Sequence, residues 1–182
     1  MKPRILVTRA IFPEVIDRLA AHFEVDYNDQ DVALPPEQIA ARLSDKAGAI
    51  TLLSDRIDAS VLAGAPGLKA VCNVAVGYNN YDLAALAQAG VMATNTPGVL
   101  NDSTADAAWA LILATARRIV SADKWVRDGQ WKGWQFHDNW FGNDVHHATL
   151  GILGMGRIGQ AVARRAAGFD MRVIYHNRSP LA

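Results

Sequence analysis

Over the first hundred residues, apolar and polar positions fall into short blocks, each with its own period. Ile5–Val7 is a compact apolar run that reads as a strand. A helical pattern follows over roughly Pro13–Ala21, with proline in the first turn, where its missing N–H is no loss. Phe23–Tyr27 reads as a second strand, Pro36–Leu43 as a helix, Ala49–Leu53 as a buried strand and Ala59–Ala63 as a short helix. Ala70–Val76 is the next strand, then comes a helix near Asp82–Ala89 that Gly90 ends, and Val91–Thr94 is a further strand. Strands alternating with helices at this spacing predict βαβ units and a parallel sheet covered on both faces.

Thr96-Pro97-Gly98 is a turn signal, and the pattern changes after it. Asn101-Asp102-Ser103-Thr104 opens the strongest helix pattern of the chain, and Ser103 followed by Asp106 fits a capping box. Ala105, Ala108, Trp109, Ile112, Leu113, Ala116 and Val120 recur at helical spacing, a single broad stripe. Asp128–His147 has little periodicity and is rich in tryptophan. A loop covering the core and an arm at a protein interface are both open for it.

Composition narrows the class. The chain has 182 residues, 51% of them hydrophobic and 20% charged, which reads as globular rather than disordered. Eighteen basic and eighteen acidic side chains cancel, which argues against a nucleic-acid partner. The lone Cys72 has no partner for an internal disulfide and fits a reducing, cytoplasmic compartment. No apolar run approaches the roughly 18 residues of a membrane helix, and MKPRILVTRA has too short an apolar core for a signal peptide. Neither a membrane partner nor a metal site is expected. The zero net charge hides a division. Residues 1–98 carry 8 basic and 11 acidic side chains, residues 99–182 carry 10 and 7, and all five tryptophans lie in the second part. Two regions with different jobs, 1–98 and 99–182, are expected.

The sharpest chemical signal lies late. Thr149-Leu150-Gly151-Ile152-Leu153 reads as a strand running into Gly154-Met155-Gly156-Arg157-Ile158-Gly159, followed by a helical pattern and a new strand, Met171–Tyr175. In that setting Gly154 permits a tight turn, Gly156 lets backbone approach a pyrophosphate, and Gly159 allows close helix–strand packing. The pyrophosphate would rest on the positive end of the helix and its free amides. About 20 residues on, where a carboxylate would bind the ribose 2′-hydroxyl of NAD, stands Tyr175-His176-Asn177-Arg178-Ser179, with no Asp or Glu from Met171 to Ala182. Asn177, Arg178 and Ser179 can donate to a 2′-phosphate, with Arg178 as the charge partner, so NADPH is expected over NADH, which stays possible. A nucleotide-binding methyltransferase fits less well, because its glycine motif usually lies earlier, with most of the sheet after it.

Further motifs stand in order around this turn: Val76-Gly77-Tyr78-Asn79-Asn80-Tyr81-Asp82, Asn95-Thr96-Pro97-Gly98-Val99-Leu100, Thr104-Ala105-Asp106, Ala116-Arg117-Arg118, and Trp140 through Gly151. Together they resemble the D-isomer-specific 2-hydroxyacid dehydrogenases, and within them bacterial glyoxylate/hydroxypyruvate reductases of the 2-ketogluconate reductase type. The resemblance covers essentially the whole chain. It implies an α/β protein with a flavodoxin-like substrate domain, 1–98, and the first part of a Rossmann-type NAD(P)-binding domain, 99–182. It implies that the amides of Val76 and Gly77 hold a substrate carboxylate, and that Thr104 lies near the cofactor. Gly154, Met155, Gly156, Arg157 and Ile158 would surround the pyrophosphate, and Asn177 stands where many members have Asp. The activity implied is reduction of a small 2-keto acid, glyoxylate, hydroxypyruvate or similar, to the D-2-hydroxy acid. A homodimer built through the long helix and the tryptophan-rich segment is implied as well.

Hydride transfer to a keto acid also needs a proton donor and a positive group on the carbonyl. His137, His146 and His147 read as solvent-facing or locally bonded. The family's histidine, glutamate and arginine lie later in the cofactor domain, so no catalytic residue is assigned. Only 23 residues follow Gly159, enough for one helix and one strand, whereas a dinucleotide fold needs two βαβαβ halves. The strand Thr149–Leu153 is therefore expected to lack a neighbour on one side, and the chain is expected to be an inactive amino-terminal portion of an enzyme. The alternative is a naturally short, non-catalytic module for carboxylate binding or dimerisation.

Overall fold

The structure, a computed structural model, describes residues 1–134, 136 and 140–181. Its contacts divide the chain into two compact units, Met1–Pro97 and Gly98–Ala182.

The first unit runs β1 (Arg4–Val7), α1 (Pro13–His22), β2 (Glu24–Tyr27), α2 (Pro36–Leu43), β3 (Gly48–Thr51), α3 (Ala59–Ala63), β4 (Ala70–Asn73), α4 (Leu83–Gln88) and β5 (Met92–Thr94). All strand pairs are parallel and the order is β2-β1-β3-β4-β5, a doubly wound, flavodoxin-like sheet. Register sets Leu6 beside Ala49 and Ala49 beside Val71, so these residues fall in one row. Period-two alternation then decides burial: along β4, Val71 and Asn73 are buried while Cys72 between them is exposed. Ile39 and Leu43, one helical turn apart on α2, close over the core together with Ile57 from the loop before α3. Asp58 caps α3 by accepting from the amides of Ser60 and Val61, and Asp82 caps α4 through the amide of Ala85.

Two strands are shorter than their apolar runs. β3 stops at Thr51 instead of Leu53, and β4 at Asn73 instead of Val76. Beyond Asn73 the Val74 amide still donates to the Thr51 carbonyl of β3, and the carbonyls of Ala75 and Val76 then turn to the chain just past β5.

The second unit runs α5 (Asn101–Ala116), α6 (Ile119–Arg127), β6 (Thr149–Leu153), α7 (Arg157–Ala166), a 3₁₀ turn (Ala167–Phe169) and β7 (Arg172–His176). β6 and β7 pair in parallel, and among the described residues β6 pairs with no other strand. The core forms where α5 crosses α7. Trp109 stacks on Phe169 at 4.6 Å, and its indole N–H donates to the Val162 carbonyl at 3.0 Å. Val145 and Ala166 complete the buried cluster. Arg165 of α7 pairs with Asp102 and Asp106 of α5.

Two helix expectations are corrected. The capping box is not formed: α5 starts at Asn101, its N-cap is Leu100 without a side-chain bond, and Arg165 takes Asp106 instead. The apolar stripe does not continue to Val120 in one helix. Arg118 adopts a left-handed conformation (φ 54°) that ends the first helix, and Val120 sits exposed on α6. In the tryptophan-rich segment Trp140 stacks on Trp125 at 5.0 Å with the Arg118 guanidinium over its ring, whereas Trp134 is 97% exposed and Phe136 and Phe141 are exposed too. Among the described residues no helix is long and apolar enough to cross a membrane.

Candidate functional site

In the first unit the chemistry gathers where β3 and β4 end. Asn73, the last residue of β4, is buried, and its side-chain amide donates to the Gly77 carbonyl at 2.9 Å and to the Asn80 side-chain oxygen at 3.1 Å. Asn80 in turn donates to the carbonyls of Leu52 and Asp55. One asparagine pair thus ties the Val76–Gly77 turn to the loop after β3. That loop is itself held by Asp55, a fully buried carboxylate that accepts from the Thr8 hydroxyl at 2.5 Å and the Leu52 amide at 2.8 Å. Tyr81 donates to or accepts from Thr51 at 2.5 Å, and burial pushes its hydroxyl up to about 12.

Val76 and Gly77 stand on this framework. A side-chain carbon at Gly77 would meet the Asn79 side-chain oxygen at 3.4 Å and Leu53 at 3.7 Å, both ordinary contact distances. Among the described residues the amides of Val76 and Gly77 have no acceptor within the protein, the condition an anion-binding turn requires.

In the second unit the site is the turn between β6 and α7. Gly154 has φ +97°, which residues with a side chain rarely adopt. Its amide donates to the His176 carbonyl, fastening the turn to the end of β7. A Cβ on Gly159 would collide with the Gly154 carbonyl oxygen, so the close approach of helix and turn depends on that glycine. At Gly156, the N-cap of α7, a Cβ would meet nothing within 4 Å, and no side chain caps the helix. The first-turn amides of α7 are therefore open to an anion.

Leu153, Gly154, Gly156, His176, Asn177 and Arg178 line one open cavity. The fold thus brings Asn177 and Arg178 beside the glycine turn. Ser179 is exposed just beyond them, Arg157 is exposed at the first position of α7, and Ile158 is half-buried behind it. Met155 points inward and is buried. Thr104 is exposed in the first turn of α5 and is not among the lining residues; its amide donates to the Leu100 carbonyl. The glycine turn and the uncapped helix fit a dinucleotide pyrophosphate, and Arg178 stands in the wall of the same cavity. His146 and His147 are exposed and meet edge to face, and His137 lies outside the described residues. Among the described residues no three His, Cys, Asp or Glu side chains are placed to hold a metal ion.

Asn73, Asn80 and Asn95 were not singled out as functional by sequence. The only signal available was polar side chains at the ends of apolar runs, where strands of an open parallel sheet present their ligands.

Known proteins give this geometry a context. The family model described as D-isomer specific 2-hydroxyacid dehydrogenase, catalytic domain, matches residues 5–155. A glyoxylate reductase of Thermococcus kodakarensis is 48% identical over 182 residues, which cover 98% of this chain and 55% of that protein. One from Pyrococcus furiosus is 46% identical, with 98% and 54% covered. Among solved structures, the TT0316 protein of Thermus thermophilus superposes with a TM-score of 0.90 at 44% identity, covering 98% of this chain and 57% of that one. An NADPH-dependent glyoxylate/hydroxypyruvate reductase of Sinorhizobium meliloti, solved with NADP and malonate, gives 0.81 at 32% identity, with 100% and 55% covered. The chain spans about half the length of the curated relatives it matches.

Proposed function

The chain belongs to the D-isomer specific 2-hydroxyacid dehydrogenase family, and from there we propose that it serves an NADPH-preferring reductase of small 2-keto acids such as glyoxylate or hydroxypyruvate, forming the D-2-hydroxy acid. The observation that carries this reading is one chain with two backbone anion cradles, each at the carboxyl end of a parallel strand. Under this reading residues 1–98 form the substrate domain and 99–182 the start of the cofactor domain.

Val76 and Gly77 take the substrate carboxylate on their amides. Gly154, Met155, Gly156, Arg157, Ile158 and Gly159 enclose the pyrophosphate, and Thr104 lies near the cofactor. Asn177, Arg178 and Ser179 receive the 2′-phosphate. Three observations support NADPH over NADH: no Asp or Glu stands from Met171 to Ala182, Arg178 shares the cavity with the glycine turn, and a relative of known structure is NADPH-dependent. When bound, the cofactor supplies the hydride. The chain's own contribution is to hold the two anionic ends. A proton donor and a cation for the keto oxygen are still required, and none of these 182 residues is assigned either role. We expect a homodimer, supported by the exposed Trp134, Phe136 and Phe141, and a cytoplasmic location, supported by the single cysteine.

Calorimetric titration tests the reading directly. The 182-residue chain should bind NADPH more tightly than NADH and should oxidise neither in the presence of glyoxylate. Equal or tighter binding of NADH would overturn the cofactor preference, and binding of neither would overturn the assignment of the glycine turn.

A further inference from the structure

The turn after β4 is held in an unusual way. Three consecutive carbonyls, those of Ala75, Val76 and Gly77, each accept a hydrogen bond from a different donor. The Thr96 amide donates to Ala75 at 2.8 Å, the Asn95 side-chain amide to Val76 at 2.8 Å, and the Asn73 side-chain amide to Gly77 at 2.9 Å. Every peptide bond of the described chain is trans. In a planar trans peptide the carbonyl and the following N–H point to opposite sides. Fixing the Ala75 carbonyl therefore fixes the amide of Val76, fixing Val76 fixes Gly77, and fixing Gly77 fixes Tyr78.

The direction follows from where the donors sit. Asn95 and Thr96 are neighbours just past β5, so the carbonyls of Ala75 and Val76 both face that chain. The amides of Val76 and Gly77 are consequently turned to the common side away from it. Asn73 draws the next carbonyl back to the end of β4, which turns the Tyr78 amide outward. Among the described residues none of these three amides has an acceptor in the protein. Successive amides presented to one side are the backbone arrangement that holds an anion.

We propose that Asn95 and Asn73 are positioning residues that orient the Val76–Gly77–Tyr78 amides toward a carboxylate. This rests on the reading of Val76 and Gly77 as the carboxylate site. Neither asparagine touches the ligand; each acts through a carbonyl. The Tyr78 amide is a third donor beside the two already assigned, so the site recognises a carboxylate by backbone alone and leaves the rest of the acid to other groups. Asn73 does double duty, since its bond to Asn80 also anchors the loop after β3.

The test is an amide-resolved NMR titration of the full 182-residue chain with oxalate. In the unaltered chain the amides of Val76, Gly77 and Tyr78 should shift together along one binding curve. Asn95→Asp keeps the size of the side chain and removes its N–H donor. It should raise the oxalate dissociation constant about ten-fold, as expected for a lost hydrogen bond of this kind, while core amides such as Leu6 and Val71 stay in place. Asn95→Gln retains the donor and should recover part of the affinity. Asn73 is buried, so Asn73→Asp is read only where its core amides remain native, and Asn95, which is half-buried, carries the decision. Shifts in the unaltered chain with equal affinity in Asn95→Asp would overturn the positioning role and leave the carboxylate reading standing. No shift at residues 76–78 in the unaltered chain would overturn both.

Discussion

Large side chains disappear from solvent more completely in one unit than in the other. In Met1–Pro97, Leu6, Ile39, Leu43, Ile57 and Val71 are fully buried. Among the described residues of Gly98–Ala182 only three alanines, Ala105, Ala161 and Ala166, reach that level, while Leu153 is 87% exposed and Ile174 and Tyr175 lie open on β7. The first unit is stabilised by a closed apolar layer between a five-stranded sheet and α2–α4. The second is held by close helix crossing through small residues, the stacking of Trp109 on Phe169 and of Trp140 on Trp125, and the ion pairs of Arg165. Their sites differ in the same sense. The Val76–Gly77 turn is braced by the buried side chain of Asn73 and the half-buried one of Asn95, and the glycine turn by the shape of its own backbone. A layer of leucines can tolerate a change at its edge, but a turn in which a hydrogen atom fills the only space at Gly159 cannot.

The largest effect should come from cutting the core of the first unit. Leu6→Ala should cost about 4 kcal/mol by urea unfolding, while Leu150→Ala, half-buried in the second unit, should cost about 2 kcal/mol. Equal losses would remove the contrast between the units. Next, Gly159→Ala should weaken NADPH binding more than ten-fold while leaving oxalate shifts at Val76 and Gly77 intact, because its added methyl strikes the Gly154 carbonyl. Arg178→Ala should weaken NADPH about ten-fold and NADH less than two-fold by calorimetry, since only the former carries a 2′-phosphate.

The smallest expected effect is on pH dependence, and Asp26 and Tyr81 of the first unit supply it. Hydrogen bonding from Arg42 and Lys46 holds the Asp26 carboxyl below its ordinary range, against the opposing effect of its own burial. Its stabilising contribution is therefore complete above the ordinary carboxylate range and is lost as pH falls through the lowered value. Tyr81 works in the other direction. Burial raises it to about 12, so its contribution is complete below about pH 10 and is lost as pH climbs toward that value. Urea midpoints should form a plateau that falls at both ends. Asp26→Asn should flatten the acid limb and Tyr81→Phe the alkaline limb, and an unchanged acid limb in Asp26→Asn would remove Asp26 from the account.

Much of this was legible in the residues because the signals were local. Pro36–Leu43 and Ala59–Ala63 form helices at the residues where periodicity sets them, and the glycine spacing at 154–159 forms the turn it predicts. What escaped were choices between partners distant in sequence. Ser103 and Asp106 spell a cap, yet Arg165, 59 positions beyond Asp106, competes successfully for that carboxylate. Ala75 and Val76 spell more strand, yet the donors at 96 and 95 draw their carbonyls off the ladder. Arg118 carries no mark of a left-handed residue, and the apolar stripe breaks there. The framework of Thr8, Asp55, Asn73 and Asn80 escaped for the same reason: each is an ordinary polar residue until strand ends bring the four together.

Cys72 offers a practical return. It is the chain's single thiol and stands exposed on the outer face of β4, one residue before Asn73. A fluorine tag or a small fluorophore can therefore be attached at one native position without introducing or removing a cysteine. From there it would sense the strand that leads into the Val76–Gly77 turn, giving an optical or resonance signal for ligand arrival at the first unit while the second is titrated separately.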